Sequence, residues 1–227
     1  MRVESAPLLL TELVNGWNEN ASDAYPPKEA IVFWRRATQT VYIDSEWGPC
    51  VPYPAINHND GTKNFGYVRL KENTQVIRKI PEVSGWPELA EMLETINAPN
   101  SPIESVGCEK GYFDLTEGGA ATVTLGSYVD IIFTNTSLNE NTKAYLHLAA
   151  MLLEATAGCE QWWGRIELGL QRLRGLEGTE IPWGMLIRVQ NAGRDREEAR
   201  KYWAETIRRI QKEIASLPAT FPQPIGV

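Results

Sequence analysis

Residues 162–171 read WWGRIELGLQ, and the fold turns on that decapeptide. Apolar Trp162, Ile166, Leu168 and Leu170 alternate with Trp163, Arg165, Glu167 and Gln171. A period of two sends successive side chains to opposite faces of a strand, so one face is apolar and the other polar. Such a strand belongs to a sheet that packs helices on its apolar face. GMLIRVQ, residues 184–190, repeats the alternation, and Gly175 and Gly178 between the two segments are turn residues.

Working outward from this pair, AIVFWRR (30–36) and TVYIDSEW (40–47) are joined by a short polar turn and predict a hairpin. FGYVRL (65–70) and TQVIRKI (74–80) flank Lys71-Glu72-Asn73 and predict another. GYFDLTE (111–117), ATVTLG (121–126) and SYVDIIFTN (127–135) predict a meander with Gly118-Gly119 at its first turn. Short turns imply antiparallel neighbours.

Four segments carry a helical period instead. The first holds Leu10, Leu13, Val14 and Trp17 on one face. The second starts at Pro87, where a missing N–H costs nothing, and runs through Leu89, Met92, Leu93 and Ile96. The third opens on Ser137-Leu138-Asn139-Glu140, a capping-box pattern, and stops before Gly158. The last opens on Asp195, carries Trp203, Ile207, Ile210, Ile214 and Leu217, and ends before Pro218. The expected class is α+β: an antiparallel sheet of hairpins and a meander with about four packed helices. The chain is expected to form one unit, 1–227. The alternative is two tightly packed lobes, 1–98 and 103–227, joined by Ala98-Pro99-Asn100-Ser101-Pro102.

A hydrophobic content of 43% suits a folded chain, and a net charge of −7 argues against nucleic acid, which needs a clustered positive field. The last helix is rich in Arg and Lys, but acids interleave with them, as on a solvated face. No apolar run approaches the roughly 18 residues of a membrane span, and the opening MRVESAPLLLTELVNGW lacks a signal core. A cytoplasmic location is expected. Cys50, Cys108 and Cys159 are odd in number and far apart, which predicts free thiols.

Reactive side chains cluster in WGPCVPYPAINHNDGTKN, residues 47–64. Its prolines forbid regular structure, and its Asn, Asp and Gly residues favour turns, so it is a long loop of the kind that carries function. Two chemistries fit. A Cys50 nucleophile with His58 as base and Asp60 as orienting group would make a hydrolase or transferase, provided the loop folds back on itself. Alternatively, Trp47, Tyr53, Asp60 and Trp86 offer an acidic, aromatic contact surface. Asp44, Glu46, Asp114 and Asp130 sit in or beside strands, where two could meet as an acid–base pair; alternation turns Asp130 away from Val129 and Ile131, toward solvent or a cleft. His147 projects to the boundary of the third helix. No zinc spacing, EF-hand loop, P-loop or GxSxG elbow is present, so neither metal nor cofactor is expected.

Three functions follow from this reading. The first is a non-enzymatic protein that docks another, basic protein, with self-association also open to it. In being acidic, Trp-rich and α+β it is similar in general character to immunity-type inhibitors of toxic enzymes. The second is the Cys50, His58, Asp60 enzyme. The third is a small-ligand-binding protein with an aromatic-lined pocket.

Overall fold

The structure, a computed structural model, describes residues 5–20, 31–44, 48–57, 59, 61, 63–114, 121–159, 164–176 and 179–221. In chain order the elements are α1 (Ser5–Asn20), β1 (Ile31–Arg36), β2 (Gln39–Ile43), β3 (Ile56–Asn57), β4 (Lys63–Asn64) and α2 (Pro87–Ile96). They continue with β5 (Ile103–Asp114), β6 (Val123–Phe133), α3 (Thr142–Ala155), β7 (Gly164–Leu176), β8 (Thr179–Gly193) and α4 (Arg196–Ala215). The class is α+β. Six strands form one sheet in the order β1-β2-β7-β8-β6-β5, and β3 pairs with β4 in a separate small hairpin.

The sheet is mixed where a purely antiparallel one was expected, because β2 and β7 run parallel, with Gln39 opposite Ile166 and Ile43 opposite Leu170. The short-turn argument reaches only strands that follow one another in the chain. More than a hundred residues separate β2 from β7, so a turn does not set their direction.

Three local expectations also need correction. Phe65–Ile80 is not a hairpin; short 3₁₀ turns span Leu70–Glu72, Thr74–Lys79 and Pro81–Val83. Ile77, Ile80 and Val83 recur every three residues, the period of that tighter helix, and Pro81 has no N–H for a ladder. The two segments read at 121–126 and 127–135 form one strand, β6, in which Gly126 lies opposite Gly111 rather than at a turn. The capping box at Ser137 does not form. Asn139 is buried there, accepting from the Phe133 amide (2.9 Å) and the Tyr145 hydroxyl (2.6 Å) and donating to the Phe133 carbonyl (3.1 Å). That knot holds Thr136–Glu140 as a 3₁₀ turn, and Asn141 caps α3 by accepting from the Lys143 amide. The other end agrees with expectation, since Gly158 takes a positive φ of 87° after α3. Asp195 likewise caps α4, accepting from the Glu198 amide at 2.8 Å.

The helices cover one face of the sheet. Odd-numbered residues of β6, among them Leu125, Val129, Ile131 and Phe133, bury there with Leu13, Leu89, Tyr145, Leu148, Trp203 and Ile207. Trp203 is fully buried, its indole N–H donating to the Ser127 hydroxyl at 2.8 Å. Trp17 meets Phe33 and Trp183 edge-on at 5.5 and 5.3 Å. Trp162 and Trp163 lie outside the described residues. Among the described residues no helix is long and apolar enough to cross a membrane.

Candidate functional site: a cleft on the sheet face away from the helices

The alternation that buries Val129 and Ile131 sends Tyr128, Asp130 and Ile132 to the opposite face. That face is covered by residues 48–57 and 63–69, not by α-helices. Val51 from this segment buries with Val106, Ile132, Leu173 and Ile181 in a second, smaller apolar cluster, with Tyr53 and Tyr67 packed beside it. Backbone bonds tie the segment to β7: the Gly48 amide donates to Arg172 (2.7 Å) and the Val51 amide to Arg174 (2.8 Å). Gly48 is needed there, since a Cβ would stand 2.6 Å from Leu173 and 2.8 Å from Gln171. The Tyr67 amide closes the segment on the Tyr53 carbonyl at 2.9 Å. The proline-rich stretch is therefore held down as the wall of a cavity.

That cavity is a cleft of about 520 Å³, bordered by Cys50, Tyr53, Lys63, Glu82, Glu109, Tyr128 and Asp130. An apolar groove of about 350 Å³ shares Tyr53, Phe65 and Cys108 with it, and a third depression of about 490 Å³ shares Glu109 and Tyr128 and reaches Arg188. Asp130 is only 4% exposed. Its Oδ1 accepts from the Gln171 amide at 2.7 Å, a bond that spans the intervening strand β8. Burial pushes its carboxyl up to about 7; the Gln171 bond and the Arg188 charge pull the other way without cancelling it. Burial likewise raises the hydroxyls of Tyr53 and Tyr128 above their ordinary range and the Cys108 thiol up to about 12. Burial lowers the Lys110 ammonium. Arg188 is answered by Glu167, 3.4 Å away, and Glu167 also meets Arg165 at 3.0 Å.

The residues singled out from sequence are dispersed. Trp47, His58 and Asp60 lie outside the described residues. Cys50 is exposed and borders the cleft. Tyr53 also borders it, its ring 5.9 Å from that of Tyr67 in an edge-on pair. Trp86 sits elsewhere, against Trp203 and Tyr112 at 5.5 Å each, with the cations of Lys110 and Arg200 over its ring at 5.1 and 4.6 Å. Asp130 faces the cleft, as alternation suggested, but its hydrogen-bond partner is Gln171 and not a second acid. His147 is half-buried on α3, its ring 5.0 Å from Phe221, and burial lowers its pKa. Among the described residues no group of three His, Cys, Asp or Glu side chains is placed to hold a metal ion.

Tyr128, Gln171, Glu109 and Gly107 were missed. Their signal is the glycines that interrupt otherwise regular strands. A Cβ at Gly107 would stand 2.9 Å from Asp130 Oδ2, and one at Gly169 would meet the Tyr42 ring at 2.7 Å. Glycine in a strand interior marks close approach by another group. Chemically, the arrangement offers a buried carboxyl acceptor beneath aromatic walls, with charges of both signs at the rim. Compared with known proteins, the chain matches no family model, no curated protein and no solved structure.

Proposed function

We propose that this protein binds a small organic molecule in the cleft that residues 48–57 and 63–69 form with the sheet. The observation that supports this reading is Asp130. A carboxyl with so little exposure usually gathers several partners, because removing it from water is costly. Here Gln171 engages Oδ1, and Oδ2 has no hydrogen bond among the described residues. The cleft beside it has the volume of an ordinary ligand pocket.

The test is thermal denaturation against a library of metabolite-sized compounds, with Cys50→Trp as a cleft-filling variant. Compounds should raise the Tm of the wild type and not of the variant; a ligand at a hundred times its Kd adds about 2.7 kcal/mol. Equal stabilisation of both proteins, or stabilisation by no compound, would reject the reading.

Phe65 and Val68, about half exposed at 50% and 47%, favour a second reading. In it this flank docks another protein, a basic one given the net charge of −7. Tyr53 lies on that flank; Trp86 does not. Partner capture lost in Phe65→Ala and untouched in Cys50→Trp would decide for it.

A further inference from the structure

We propose that the cleft takes an organic cation, a primary amine or amidine on an aromatic body, whose charged head docks on Asp130 Oδ2. This rests on the small-ligand reading above. In its ionised form, which a bound cation favours, the Asp130 carboxylate has only acceptor sites, so the group that completes it must donate. Lys63 and Lys110 border the cleft, yet neither forms an ion pair with Asp130, and Arg188 is engaged by Glu167. Among the described residues, the cations around the cleft thus leave Oδ2 to a visitor.

Access to that oxygen is built into the ladder. Gly107 lies directly opposite Asp130, and the Cβ of any other residue there would stand 2.9 Å from Oδ2. Tyr53 and Tyr128 supply ring faces for the ligand's body and for its charge. With Asp130, Glu82 and Glu109 set against Lys63 and Lys110, the acids outnumber the bases at the site. An anion would meet an unfavourable charge balance there, and a neutral body would forgo the charge-assisted bond, the stronger kind.

Benzylamine and benzamidine, with benzoate and benzamide as anionic and neutral counterparts, would be titrated into the full chain and followed by amide shifts at Gly107, Tyr128 and Gln171. The two cations should shift these amides, and Asp130→Asn should weaken them at least tenfold. That variant keeps the Oδ1 acceptor for Gln171, and an otherwise unchanged spectrum verifies its fold. Gly107→Ala, which crowds Oδ2 but retains the charge, should weaken the cations to a similar degree. Binding of benzoate or benzamide at these amides with indifference to Asp130→Asn would overturn the cation proposal and leave the ligand site standing. If no probe of any charge shifts them, the cation proposal fails, and the compound library alone decides the small-ligand reading.

Discussion

At the scale of the residue, Asp130 and the three cysteines show what decides reactivity: the surroundings, not the side-chain type. Cys50 is exposed, Cys159 is fully buried, and Cys108 is partly open at the cleft wall but has its thiol pushed up to about 12 by burial. Thiolate is the reactive form, so near neutral pH a thiol reagent should modify one cysteine quickly in the native protein, with Cys50→Ala abolishing the fast phase. Equal rates at two or three cysteines would contradict the burial described here. A Cys50 rate above that of a free thiol peptide would instead favour the nucleophile reading with His58 and Asp60. The direction of Asp130 was legible, because alternation alone turns it away from Val129 and Ile131. Its burial was not, because the covering segment lies far upstream in the chain, between residues 48 and 69.

At the scale of the element, residues 48–57 and 63–69 are the part that makes a cleft out of a bare sheet face. Val51 is its fully buried anchor, in a small cluster with Val106, Ile132, Leu173 and Ile181. Val51→Ala removes two buried methyl groups and leaves a void, for an expected loss of about 2 kcal/mol. The accompanying sign is faster amide exchange at Gly48 and Val51, whose bonds to Arg172 and Arg174 hold the wall. Unaltered exchange at both would mean that the wall is held by something else. Helices α2 and α4 were legible in detail, since Pro87 and Asp195 are local start signals. Asn139 was not, because its buried partners, Phe133 and Tyr145, take their meaning from tertiary packing. The parallel pairing of β2 with β7 escaped for the same reason: no local pattern encodes a contact between strands so far apart.

At the scale of the whole molecule, one sheet face is covered by helices and the other by an irregular segment that leaves a carboxyl under a cleft. This division has a consequence for global stability. The fold raises the Asp130 carboxyl from 3.8 to about 7, so between those values the folded chain holds a proton that the unfolded chain has lost. The favourable contribution is complete below about pH 4 and is lost progressively as pH rises through about 7. Arg188, from the neighbouring strand β8, and Asp44, just past the end of β2, act on the same carboxyl and remain in place when Asp130 is changed. Unfolding by urea, compared between the wild type and Asp130→Asn from pH 5 to pH 7, therefore isolates this one group. The wild type should lose about 2 kcal/mol relative to the variant across that interval. A difference that stays constant with pH would mean that Asp130 ionises in the fold as freely as in the unfolded chain, and that no buried carboxyl waits beneath the cleft.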